Sequence, residues 1–343
     1  MHPFTRPGRS PVLKRETCAF TLLLLTITLF IPLPGRSADE RAALKVLAIG
    51  NSFSRDAMAD LPDLAKAGGK TLVASNAYIG GCSLERHVKH LKQAEAGNPE
   101  GKAYKNIPDP VTGEKHDVSL IDLLTAQPWD VVTLQQWSQL SYKPETFQPF
   151  ADELIAAIHK YAPTAEIVVH ETWAYREDHA WFKKDDGFTP AKMYAGISST
   201  YKAFADGKGF RLIPVGDALN LARQTPRWTY VTDPAFDFKN PPAGHLPDQH
   251  TSLNAGWSWG KDKDGAPKLN LDAIHCNTAG RYLGAAVWYQ VLFNTSDIPA
   301  SYIPKGLTAI DTADLRTHIL AAVKAERSRE KPAATPATAA AGK

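Results

Sequence analysis

Four short stretches carry residue types suited to acyl transfer. Gly50-Asn51-Ser52 follows the apolar run from Lys45 to Ile49, and Gly80-Gly81-Cys82 follows the run from Thr71 to Ile79. Gln135 and Gln136 follow Trp129 to Leu134, and Asp272 stands three residues before His275, just ahead of an apolar segment that starts at Thr278. A serine hydroxyl is a poor nucleophile until a histidine takes its proton. The histidine needs a carboxylate to fix its tautomer, and the developing oxyanion needs N–H donors. A serine in a tight turn, glycine backbone, amide side chains and an Asp/His pair are the parts of such a site.

The elements around these stretches must bring them together. Apolar runs at 45–49, 71–79, 129–134, 165–173 and 210–215 read as buried strands. Helical spacing covers 56–67, 83–92, 147–161, 192–205, 278–293 and 311–327, with Gly68-Gly69 stopping the first of these. Strands separated by helices imply βαβ units and a mainly parallel sheet covered on both faces. In such sheets ligands bind at the carboxyl ends of the strands, where the first three stretches fall, while Asp272 and His275 precede the helix from Thr278. Three segments read as insertions, at about 93–122 (with a hairpin at 103–120), 175–190 and 227–270.

The chain has 343 residues, 43% hydrophobic and 22% charged, with three cysteines. That composition excludes a disordered chain, a fibrous repeat and a small disulfide scaffold. The formal charge of +3 raises nucleic-acid binding as a question. Its distribution answers it. Residues 1–37 carry Arg6, Arg9, Lys14, Arg15 and Arg36 against Glu16 alone, so the remainder is close to neutral and holds no basic stripe. The same segment has an apolar stretch from Ala19 to Leu33, prolines at 32 and 34, and small residues Gly35 and Ser37. It reads as a secretory signal peptide, too short for a spanning anchor. The expected organisation is a signal at 1–37, one domain at 38–326 and a disordered tail at 327–343. Nucleic acid and a stable membrane span after cleavage are not expected, and the location is periplasmic or secreted.

The stretch Val46-Leu47-Ala48-Ile49-Gly50-Asn51-Ser52-Phe53-Ser54 resembles the first block of the SGNH/GDSL hydrolases, with Asn51 where most members have Asp. Asp272-Ala273-Ile274-His275 resembles their last block, D-x-x-H. The resemblance implies Ser52 as nucleophile, His275 as base and Asp272 as its orienter. It also implies an oxyanion hole from the Ser52 and Gly81 N–H groups and a Gln135 or Gln136 amide. The third block departs from the usual G-x-N-D, reading Leu134-Gln135-Gln136-Trp137-Ser138. With the segments 80–87 and 275–283, these features resemble one bacterial branch, the domain of unknown function 4886. The branch implies a flavodoxin-like three-layer α/β/α sandwich on a five-stranded, mainly parallel sheet, and ester hydrolysis without metal or cofactor.

Other residues have two readings. Ser54 is a rival nucleophile or an N-cap. His87 and His90 are a metal pair or a packed helix face. His170 is a core histidine, and Asp272 alone is a turn cap. Cys82 and Cys276 follow the implied oxyanion glycine and catalytic histidine, so in an oxidising compartment they are expected to pair, or else to pack as buried thiols. Trp137, Trp173, Tyr175, Trp181, Trp228, Trp257 and Trp259 lie at strand ends or in insertions. Aromatic faces on a catalytic rim suit sugar rings, so Trp137, Trp173 and Tyr175 are the expected substrate contacts. The substrate is then an O-acyl, such as O-acetyl, ester on a carbohydrate. The alternatives are a lipid, aryl or thioester hydrolase with the same triad, or a carbohydrate-binding protein without turnover.

Overall fold

The computed structural model describes residues 40–108, 112–184 and 187–330. The expected signal peptide and nearly all of the expected tail lie outside them. In chain order the elements are β1 (Ala43–Gly50), α1 (Ser52–Met58), α2 (Leu61–Ala67), β2 (Thr71–Tyr78), α3 (Leu84–Glu95), β3 (Tyr104–Pro108), β4 (Lys115–Val118), α4 (Leu120–Thr125), β5 (Val131–Leu134) and α5 (Phe150–Tyr161). They continue with β6 (Glu166–His170), α6 (Ala180–Lys184), α7 (Pro190–Lys208), β7 (Arg211–Ile213), α8 (Val215–Arg223), β8 (Asn254–Lys261), β9 (Pro267–Cys276), α9 (Thr278–Phe293) and α10 (Ala309–Arg329).

Five strands form one sheet in the order β2-β1-β5-β6-β7, and every neighbouring pair is parallel. Val46, Leu47, Ala48 and Ile49 of β1 are all fully buried. A run with no polar alternation is what a central parallel strand needs, because helices cover both of its faces. On one face α3, α5 and α7 pack together, with Phe147 edge-on to Tyr201 at 5.4 Å between ring centroids. On the other, α1, α2, α8 and α10 gather around α9, which is buried through most of its length and accordingly apolar on all sides. This is the expected three-layer α/β/α sandwich.

Three differences from the sequence reading have local causes. The helix expected at 56–67 is two helices, broken at Ala59-Asp60, with Pro62 in the first turn of the second. Proline is accommodated in a first turn and not in a helix interior. The segment 227–270 is not wholly irregular, because β8 and β9 pair antiparallel across a turn containing Gly265, whose φ is +85°. Asp272 and His275 therefore sit at the end of a hairpin strand rather than on a simple loop. Finally, α10 runs to Arg329, past the boundary expected at 326.

Candidate active site

The turn after β1 is built around Asn51. Its Oδ1 accepts from the backbone N–H of Phe53 at 3.0 Å, which caps α1. The same oxygen accepts from Gln135 Nε2 at 2.7 Å, and Asn51 Nδ2 donates to the Cys82 carbonyl at 3.0 Å. One buried amide thus ties together the ends of β1, β2 and β5. Asparagine suits the position where aspartate would not, since a carboxylate has no hydrogen to give the Cys82 carbonyl. Gly50 is required by close approach: a Cβ there would lie 2.5 Å from Ser54 Oγ and 3.0 Å from Gln135 Cδ.

Ser52 is the first residue of α1 and is 9% exposed. Its N–H is one of the donors that a helix start leaves without an intrahelical partner. Gly81 adopts φ +58°, which an L side chain rarely tolerates, and it lies beside the partly exposed Trp137. Among the described residues, neither the Ser52 nor the Gly81 N–H donates to another group. Ser54 is inside α1 and is not its cap. The helix starts too early for that role, and Ser54 Oγ donates to the Asn51 carbonyl and the Asn76 Oδ1.

At the end of β9, Asp272 Oδ2 accepts from His275 Nδ1 at 2.8 Å. Asp272 Oδ1 accepts from the backbone N–H groups of Ile274 and His275. The carboxylate therefore caps the local turn and orients the imidazole at once, leaving Nε2 as the outward nitrogen. The hydrogen bond to Asp272 is the main influence raising the His275 pKa, and burial opposes it. Burial is also the largest influence on Asp272 and acts upward. The hydrogen bonds from His275 and Ile274 outweigh it and hold the carboxyl at about 2.

Asp56 joins the two halves of the site, a role the sequence reading missed. It lies one turn after Ser52 on α1, is buried, and accepts from the Cys276 N–H at 2.8 Å. Arg281 approaches its other oxygen at 3.6 Å. The signal was available in the sequence as an acid four residues after Ser52, on the same face of the helix. Phe53 adds packing: its ring lies 4.1 Å from that of Trp173 and 6.4 Å from that of His275. The helix carrying Ser52 and the strand end carrying His275 are thus bonded to each other. Among the described residues no hydrogen bond joins Ser52 to His275 in this conformation. Such contacts commonly tighten only when substrate is bound.

The glutamines are supports. Gln136 Oε1 accepts from the N–H groups of Leu84 and Trp137, and its Nε2 donates to the Thr146 carbonyl and Oγ1. All its capacity is used in holding α3 and the 144–146 turn, so it is not an oxyanion donor here. Gln135 is buried, with Nε2 on Asn51 and Oε1 accepting from His170 Nδ1 at 2.7 Å. Burial drives the His170 pKa down to about 3, so this core histidine is neutral. His170, Gln135 and Asn51 form a buried chain beneath the serine turn.

Several expected contacts are corrected. Cys82 and Cys276 are free thiols, both buried, and do not form a disulfide. Burial raises both thiol pKa values, that of Cys82 to about 12. Cys82 faces the α3 side, near Arg86 and Tyr104, and Cys276 lies against Gly280 of α9. Trp173 and Tyr175 are each 1% exposed and cannot stack on a sugar. Trp173 Nε1 donates to the Ile274 carbonyl, and Tyr175 hydrogen-bonds Ser138 through its hydroxyl. Of the three expected aromatic contacts only Trp137 stays on the rim. His87 is buried, with its Nδ1 on the Tyr104 hydroxyl, while His90 pairs with Gln93.

The fold and this edge define an α/β/α protein with a serine turn and an Asp–His couple at the carboxyl ends of its strands. The chain belongs to the family described as domain of unknown function 4886, whose family model matches residues 45–236. A DUF4886 family protein from Bacteroides uniformis is 28% identical, with a TM-score of 0.63 over 85% of this chain and 97% of that one. A protein from Slackia heliotrinireducens, provisionally described as an SGNH hydrolase, is 18% identical, with a TM-score of 0.42 over 73% of this chain and 99% of that one. One from Parabacteroides merdae, provisionally described as a GDSL-like lipase, is 11% identical, with a TM-score of 0.38 over 74% and 96%. No curated protein sequence matches the chain.

Proposed function

We propose that the protein is an exported serine hydrolase acting on an ester, with Ser52 as nucleophile, His275 as base and then acid, and Asp272 as its orienter. The observation that carries the reading is the 2.8 Å Asp272–His275 bond at a strand end bonded to the helix that begins with Ser52. On attack, the Ser52 hydroxyl proton passes to His275 Nε2 as the Oγ–C bond forms. The imidazolium is stabilised by Asp272, and the carbonyl oxygen, now negative, accepts from the Ser52 and Gly81 N–H groups. Collapse expels the alcohol, which takes the proton from His275. Water then repeats the cycle on the acyl-enzyme and releases the acid. No metal or cofactor is needed for these steps.

The substrate reading is an O-acyl group, such as acetyl, on a carbohydrate. Its support is the partly exposed Trp137 beside Gly81, since an indole face can carry a sugar ring. A panel of acetylated sugars against longer acyl and aryl esters tests this choice. The triad is tested by Ser52→Ala, which should reduce p-nitrophenyl acetate hydrolysis to background while the protein stays folded. Unchanged turnover in that variant sinks the assignment.

A further inference from the structure

Behind the strand end that carries Asp272 and His275 lies a separate cavity of about 190 Å³. Four aromatic side chains line it, Tyr175, Tyr194, Trp228 and Tyr230, together with Arg176, Arg223 and the solvent-exposed Glu177. The two arginines differ. Arg176 has its charge met: its Nε and one terminal nitrogen both bond Asp178 at 2.8 Å, and its guanidinium stacks on Tyr230 at 3.8 Å. Among the described residues Arg223 has no such partner. There it donates to neutral oxygens, the Ala174 carbonyl and Asn254 Oδ1, each at 2.8 Å.

Arg223 is enclosed by protein, yet it keeps some accessible surface, and it is a wall of the cavity. Burial pulls its pKa down to about 10, and the neighbouring Arg176 adds to the pull. No carboxylate is among the groups that stabilise its charge. Enclosing a charge without a counter-charge is costly, and proteins ordinarily meet it with a paired acid. Here the bonds to Ala174 and Asn254 occupy two of the five guanidinium N–H donors. The remaining donors, the missing negative charge and the aromatic walls describe one kind of occupant.

We propose that this cavity binds a small monocarboxylate about one ring in size, with Arg223 supplying the charge and the aromatic walls holding the apolar body. A cavity of about 150 Å³ accommodates benzene, so 190 Å³ suits a ring bearing a carboxylate. Arg223 offers a planar donor fork, which matches a carboxylate. A phosphate dianion would bring a second charge, and the other lining arginine, Arg176, is already paired with Asp178. The proposal does not depend on Ser52 being a nucleophile.

Isothermal titration calorimetry of the full-length protein with benzoate, benzyl alcohol and inorganic phosphate tests it. Benzoate should bind, with benzyl alcohol and phosphate at least tenfold weaker. Arg223→Gln should weaken benzoate at least tenfold. Because Arg223 also braces Ala174 and Asn254, Ala191→Phe, which adds bulk at the cavity wall from α7 and leaves the arginine in place, provides the second variant. It should also weaken benzoate at least tenfold while p-nitrophenyl acetate turnover is kept. Ser52→Ala should bind benzoate as the wild type does, which separates this site from the catalytic reading. Equal binding of benzyl alcohol, tighter binding of phosphate, or benzoate binding unaffected by Ala191→Phe would overturn the proposal.

Discussion

Two groups of strand ends meet at the same edge of the sheet and differ in what their polar atoms do. After β1, β2 and β9, the N–H groups of Ser52 and Gly81 are unspent, and the Asp272–His275 pair is partly exposed. After β5 and β6, Gln135, Gln136, His170 and Glu171 are just as polar, but they are sealed. The Gln136 amide is fully committed, Gln135 Nε2 gives one hydrogen to Asn51, His170 is neutral, and burial together with the nearby Asp217 pushes the Glu171 carboxyl well above its ordinary range. The lesson is that a polar residue at a strand end can be part of the site or part of its frame. What separates the two is burial: the open group keeps accessible surface, while the sealed group has almost none, even at His170 Nε2 and Glu171 Oε1, which have no partner among the described residues.

The largest contrast should come from the open group. Asp272→Asn should lower kcat on the order of 10³-fold or more, because the imidazole loses both its tautomer and its counter-charge. Acid titration of the fold checks the same bond from another side. A carboxyl held at about 2 contributes stability that is present above the ordinary Asp pKa and is lost as pH falls toward 2. In Asp272→Asn that part of the acid-side loss of Tm should vanish. His275 has the opposite sign: its pKa is raised, so its contribution is present below the ordinary histidine value and is lost as pH rises through the raised one.

Next in size is Asn51→Asp, which joins the two groups. The carboxylate would face the Cys82 carbonyl with no hydrogen to offer, and denaturant unfolding should show a loss of about 2 kcal/mol. Unaltered stability would contradict the role given to the Asn51 amide. From the sealed group, Gln136→Ala should cost about 1–3 kcal/mol through the orphaned Leu84 and Thr146 groups, with kcat changed only a few-fold. A drop in kcat near 10²-fold without loss of stability would make it an oxyanion donor after all.

The smallest effect is expected at Asp56. Its charge helps to raise the His275 pKa, and the base must be neutral to act. The activity of the wild type should therefore rise with pH through that raised value. Asp56→Asn keeps an oxygen for the Cys276 N–H and removes the charge, so the rising limb should move to lower pH. A limb that stays in place would show that Asp56 only braces the turn.

The same distinction explains what was legible in the sequence. The parallel sheet could be read because β1, β5 and β6 are largely apolar without alternation, and α9 because it is apolar over most of its length between an Asn277 cap and a left-handed Asn294. The hairpin β8–β9 was missed because much of it is exposed and Gly256 and Gly260 interrupt β8, so the short alternations Trp257/Trp259 and Leu269/Leu271 stood out little from their polar surroundings. Ser52, Asp272, His275 and Gly81 could be named from motif order. The commitment of Gln136 to Thr146, the burial of Trp173 under Phe53 and the separation of the two cysteines depend on side-chain directions that spacing does not encode. Asp56 was overlooked because an acid in a helix is usually a solvated one.

The most direct measurement is reaction of the protein with a fluorophosphonate, followed by peptide mapping of the modified residue. A single adduct on Ser52 is expected, absent in Ser52→Ala and slowed in Asp272→Asn. An adduct on Ser54, or none on the folded wild-type protein, would contradict it.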